Sequence, residues 1–155
     1  MSGKLDQAPD VLVKTSVDAF IEHFENKNME RAQQAAQVLV EMRPTQPVFW
    51  ASLAAAQRAL GRKVPALDAI RKSVELDPTD REHVLVMGEL LIEVGKPLEG
   101  VELVQAVFDE GHVAGVEPAK QDPVTIRAGA ILEGIQKGLA AVRESREERL
   151  APGPG

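Results

Sequence analysis

At 155 residues, 44% of them hydrophobic and 27% charged, the chain has the composition of one globular domain, and with 3% aromatics and no tyrosine its core must come from Ala, Val, Leu and Ile. The lack of cysteine excludes a disulfide framework and a thiolate metal site, which fits a reducing, cytoplasmic setting. A net charge of -6 argues against a nucleic-acid partner, and the sequence offers neither an apolar run of membrane-spanning length nor a secretory signal in MSGKLDQAPD.

Residues 1–12 read as a flexible N-terminal segment. Beyond them apolar residues recur at helical spacing, as in Ala32, Ala35, Ala36 and Leu39, and no stretch alternates at period two, so the chain is expected to be all-α. EMRPTQ (41–46) and ELDPTD (75–80) share an acidic residue, an apolar one and Pro-Thr, and they set Pro44 and Pro78 34 positions apart. Gly61 and Gly95 repeat that interval, each after an apolar residue and each followed within four residues by proline. Two residue types on one period divide the chain into windows 13–46, 47–80 and 81–114.

The middle window carries Trp50, Leu53, Ala54, Gln57, Ala66, Ile70, Ser73 and Pro78. This resembles the tetratricopeptide pattern W-x2-L-G-x2-Y, A-x3-F, P, with Ala54 for Gly, Gln57 for Tyr and Ile70 for Phe. The first window supplies Ala19, Ala32, Ala36, Leu39 and Pro44. The third supplies Val84, Met87, Gly88, Leu91, Gly100, Val104 and Val107, with His112 where a closing proline would stand. Each window is expected to fold as helix, turn, helix. Pro47 suits a first helical position, Leu60-Gly61 an end and Pro65 the next start, while Thr79 and Glu82 have the spacing of a capping box. Ala19, Ala54, Gly88, Ala32, Ala66 and Gly100 are expected where helices cross most closely. Trp50 is expected at the seam of the first two repeats, where truncation to Ala would cost about 3–5 kcal/mol.

After the turn-rich stretch 115–122, Asp122-Pro123 opens a last helix over 123–149, with Ile131, Leu132, Ile135, Leu139 and Val142 on one stripe to cap the third repeat. Its Gly129, Gly134 and Gly138 are expected to pack closely against a neighbour. Residues 150–155 read as a disordered tail. The expected architecture is three tandem tetratricopeptide helix pairs in a right-handed superhelical array, plus that capping helix.

Candidate chemistry is thin. His23, His83 and His112 have no metal-ligand spacing and read as surface residues, and neither a phosphate loop nor a nucleophile elbow is present. No enzyme activity, cofactor or metal is expected. Arg58, Arg62, Lys63, Arg71 and Lys72 read as a solvated basic face. Stacked helix pairs do make a concave surface, lined by the first helix of each pair. Helical spacing puts there Lys14, Val17, Ile21 and Phe24, then Val48, Ala51, Ala55 and Arg58, then Glu82, Leu85, Glu89 and Ile92. More than half are apolar, which points to an extended peptide or a helix as occupant. A basic clamp for an acidic chain end is excluded, because Val17, Ile21, Ala51, Ala55 and Leu85 hold the places such a clamp needs.

FWASLAAAQRALGRKVPALDAI (49–70) and RAGAILEGI (127–135) are similar to the corresponding parts of the translocator chaperones of bacterial type III secretion, across roughly residues 16 to 142. The resemblance implies a cytoplasmic, non-enzymatic chaperone that keeps a hydrophobic client soluble by holding an extended segment in the groove, at Val17, Ile21, Phe24, Val48, Ala51, Ala55, Leu85 and Ile92. It leaves homodimerisation open, since the family's N-terminal dimerisation helix has little room ahead of the first repeat. The alternative is an adaptor in a multiprotein complex, with contacts at the convex or terminal surfaces.

Overall fold

The computed structural model describes residues 5–154, and every regular element among them is helical. Helices α1 (Asp10–Glu25) and α2 (Met29–Met42) form the first pair, α3 (Pro47–Ala59) and α4 (Lys63–Leu76) the second, and α5 (Arg81–Glu93) and α6 (Pro97–Gly111) the third. A 3-10 turn (Pro118–Lys120) then leads into α7 (Pro123–Leu150). Each helix packs mainly on its neighbours in the chain, and this makes a stack of helix pairs.

The 34-residue period is written into the turns. Within each pair the first helix ends on a left-handed residue, Lys27 (φ 61°), Gly61 (φ 75°) or Gly95 (φ 88°), and these positions lie on the period. The next N–H reaches back five residues each time: Asn28 to His23 O, Arg62 to Gln57 O and Lys96 to Leu91 O, all at 2.8 Å. This double-bonded helix end satisfies carbonyls that a terminating helix would orphan. Lys27 adopts in the first pair the backbone that glycine provides in the other two, and for a residue with a Cβ that conformation is strained.

Between pairs, proline ends the helix. It bars the α region to the residue before it, so Arg43 (φ -140°) and Asp77 (φ -143°) swing out of α2 and α4. At the third seam, where His112 replaces proline, α6 runs to Gly111, one residue past the periodic equivalent of Met42 and Leu76. The capping box is displaced by one residue. Asp80, not Thr79, caps α5, accepting from the N–H groups of Glu82 (3.1 Å) and His83 (3.2 Å). Thr79 instead donates its hydroxyl to Asp77 Oδ1 at 2.6 Å, which holds the Asp77 carboxyl below its ordinary pKa.

The helix crossings confirm the small-residue reading at five positions and correct it at Ala19. A Cβ on Gly100 would stand 2.5 Å from Gly88 O and 2.6 Å from Ile92 Cγ1, so α5 and α6 meet backbone to backbone. Ala32, Ala54 and Ala66 are buried. The residue on the period with Ala54 and Gly88 is Phe20, whereas Ala19 lines a shallow hollow between α1 and α2. Trp50 is half-buried against the cluster that joins α2 and α3, and its indole N–H donates to Pro44 O at 2.8 Å, which places it at the seam of the first two repeats.

The flexible lead-in expected over residues 1–12 does not hold for residues 5–12. Helix α1 already begins at Asp10, Ala8 is buried against Leu39 and Met42, and Arg43 ties the segment down by donating to Ala8 O (2.7 Å) and Asp10 Oδ1 (3.1 Å). Residues 1–4 lie outside the described part of the chain.

Candidate peptide-binding groove

Helices α1, α3 and α5 contribute most of the lining of one concave channel of about 660 Å³. Val48, Ala51, Ser52, Ala55 and Arg58 of α3 lie along its middle, at the three-and-four spacing that keeps residues on one helix face. The floor is open because the central side chains are alanines. Phe20 and Phe24, one turn apart with ring centroids at 5.5 Å, wall it on the α1 side, and Glu82, His83 and Val86 wall it on the α5 side. Val48 is 53% exposed, an apolar side chain left open by the described residues.

Of the residues expected to form the site, Phe24, Val48, Ala51, Ala55 and Arg58 line this channel, and Glu82 joins them. Four others do not. Leu85 has no exposed surface and packs with Val104, Val107 and Ala128 beneath α7, and Ile92 packs against the same cluster. Val17 packs into the cluster of Ala8, Leu39 and Met42 under the N-terminal segment. Ile21 is exposed but is not part of the channel lining, and Lys14 is paired with Asp18 at the surface, 2.9 Å away. Terminal segments explain Leu85 and Val17: each end of the stack is covered, and the large apolar residues there are drawn under the cover.

Glu89 is not part of the lining; its side chain, 11% exposed, lies between two arginines that are, Arg58 and Arg127. Arg58 Nη1 donates to Glu89 Oε2 at 2.9 Å and Arg58 Nε to Glu93 Oε1 at 3.1 Å. From α7, Arg127 Nε donates to Glu89 Oε1 at 2.7 Å and its Nη2 to Glu89 Oε2. Burial alone would depress the Arg58 pKa, but the hydrogen bonds to Glu93 and Glu89 outweigh it and raise it. Arg58 is therefore no member of a solvated basic face. Arg62 does stand at the solvated surface, where it pairs with the exposed Glu30 at 3.0 Å.

The C-terminal helix is anchored by the Arg81 guanidinium, which donates to Asp122 Oδ1 (3.2 Å), Val107 O (2.9 Å) and buried Thr125 Oγ1 (2.6 Å). Gly111 leaves room for this anchor, since a Cβ there would collide with both Arg81 and Thr125. Asp122 caps α7, and the Thr125 hydroxyl and N–H hold its carboxyl below the ordinary range. Close packing of the α7 glycines holds only for Gly129, against Phe108; Gly134 and Gly138 face open space. The first half of α7 thus caps the third repeat, while the second half continues to Leu150 with Leu139 and Val142 each 66% exposed.

The lining residues missed from sequence are Phe20, Ser52, Ala59, Ile70, His83, Val86 and Arg127. Phe20 follows from counting the period back from Ala54. Val86 follows from Ser52 in the same way once Leu85, the periodic partner of Ala51, is recognised as too large to leave uncovered. Arg127 carried no signal, because its place depends on how α7 docks. His83 is not the surface residue expected, since its side chain is only 15% exposed.

The architecture defines the class: a three-repeat tetratricopeptide fold with an apolar concave groove and a C-terminal capping helix. No protein-family model and no curated protein matches the sequence. Among solved structures, the chain is similar to the Yersinia enterocolitica type III secretion chaperone SycD in complex with a peptide of the translocator YopD, at 18% identity and a TM-score of 0.71 over 84% of this chain and 96% of that one. PcrH in complex with the chaperone binding region of PopD gives 17% identity and a TM-score of 0.72 over 84% and 96%. The TPR2B domain of yeast Sti1 in its pHsp70 complex gives 18% and 0.60 over 63% and 78%. At these identities the likeness is one of fold.

Proposed function

We propose that this protein is a non-enzymatic, cytoplasmic chaperone that keeps an apolar, translocator-like client soluble by holding an extended segment of it in the concave groove. The observation that carries this is the channel itself, whose middle is the exposed Val48 with the partly buried Ala51 and Ala55, and which no helix among the described residues fills. An apolar surface kept open against the tendency to collapse is a binding surface by its energetics. The likeness to structures described as complexes with translocator peptides supports the same reading. Among the described residues no helix is long and apolar enough to cross a membrane.

The test is capture from native lysate with the wild-type chain and with Val48→Asp/Ala55→Asp, after circular dichroism has shown equal folding, read by mass spectrometry. One or two apolar proteins should be retained by the wild type and lost by the variant. Leu85 is unsuited to this test because it belongs to the core.

A second reading, an adaptor that docks into a larger complex, has one observation in its favour: Leu139 and Val142 stand exposed on the part of α7 that runs past its anchor. A retained set lost with Leu139→Glu/Val142→Glu, and indifferent to the groove, would decide for it.

A further inference from the structure

An extended segment entering an apolar groove brings backbone N–H groups that lose water and need acceptors. Val48, Ala51 and Ala55 offer none from their side chains, and the carboxylates of Glu89 and Glu93 are engaged by Arg58 and Arg127. Of the other lining acceptors, the Glu82 carboxylate is exposed to water, and the Ser52 hydroxyl is held by its bond to Val48 O at 2.8 Å. His83, in the first turn of α5, is different. Its Nδ1 lies 2.8 Å from Ser73 Oγ and 3.5 Å from Asp80 Oδ2. Ser73 is fully buried, and its hydroxyl donates to Pro47 O at 2.9 Å. A hydroxyl has one proton, so the contact with His83 is a hydrogen bond only if Nδ1 carries a hydrogen and Ser73 Oγ accepts it. The Asp80 carboxylate acts in the same direction, because its oxygen attracts an N–H and repels a bare nitrogen lone pair. A neutral ring with its proton fixed on Nδ1 leaves Nε2 as an acceptor, and the ring lines the groove.

We propose that His83 Nε2 is the acceptor that fixes the register of a bound extended segment, by taking one of its backbone N–H groups; this rests on the groove reading above. Ser73 and Asp80 act through His83 as positioning residues, holding the tautomer that makes Nε2 an acceptor.

Long-range proton–nitrogen spectra of the ¹⁵N-labelled full chain read the His83 tautomer without any ligand. Nε2 should appear as the bare nitrogen, and a protonated Nε2 would overturn the proposal. The binding arm uses dodecamer peptides selected by phage display on the immobilised chain and kept only if Val48→Asp/Ala55→Asp abolishes their binding. Each is remade with single backbone esters, which delete one N–H at a time. One ester should weaken binding to the wild type about fivefold and leave binding to His83→Phe unchanged. Ser73→Ala with Asp80→Asn, which removes both groups that hold the proton on Nδ1, should lose the same coupling, and it serves if His83→Phe fails to fold. Groove-dependent peptides with no ester position coupled to His83 would overturn this proposal and leave the groove standing. Selected peptides indifferent to Val48 and Ala55 would overturn both.

Discussion

The second and third repeats follow one plan and use it differently. Both turn on a left-handed glycine, Gly61 or Gly95, and both cross their helices through small residues, Ala54 with Ala66 in one and Gly88 with Gly100 in the other. Ala51 and Leu85 occupy the same place in the period, yet Ala51 lines the groove and Leu85 is buried. What differs is the neighbour. The second repeat is flanked by repeats on both sides, whereas the third is closed by α7, whose Ala128 covers Leu85. In a stacked array each repeat's exposed face is therefore set by the element next to it as much as by its own residues.

The largest expected effect tests that difference directly. Leu85→Ala removes a fully buried side chain from beneath α7 and should lower stability by about 3 kcal/mol in urea unfolding, whereas Val48→Ala, at an open position on α3, should change it by well under about 1 kcal/mol. Equal losses would mean that the two repeats expose the same face. Next comes the crossing. Gly100→Ala sets a methyl group against Gly88 O and should cost about 2 kcal/mol, while the reverse change, Ala66→Gly in the second repeat, should cost about 1–2 kcal/mol through backbone entropy and the loss of a buried methyl group. A neutral Gly100→Ala would show that α5 and α6 are no closer than α3 and α4. The smallest effect carries the comparison to the first repeat, where Lys27→Gly should raise the unfolding midpoint, with a gain of about 1 kcal/mol, by relieving the left-handed strain that the other two repeats avoid.

Much of the fold was legible because its punctuation is local. Glycine at a left-handed turn and proline after a helix act through their own backbone, so Gly61, Gly95, Pro44 and Pro78 announce the period without reference to anything distant. Lys27 conceals the first turn because a lysine in that role gives no sign of it. The middle of the groove was legible for the same local reason: Val48, Ala51, Ala55 and Arg58 share a helix face in any α3. The α5 wall was not, because burial of Leu85 depends on how α7 docks through Arg81, Asp122 and Thr125, contacts that span about 40 residues of sequence. His83 looked isolated because its partner, Ser73, lies on the preceding helix, ten residues back.

The central claim, that the concave channel receives an extended apolar segment, is tested most directly by site-specific photocrosslinking of the client captured by the wild-type chain. A photoreactive side chain is placed in turn at Ala55 on the groove floor, at Val38 on the outer face of α2 and at Leu139 on the projecting part of α7. Crosslinks from Ala55 to one short apolar stretch of the client, with none from Val38 or Leu139, are the predicted result. Crosslinks confined to Leu139 or Val38 would contradict the account and move the binding surface off the groove.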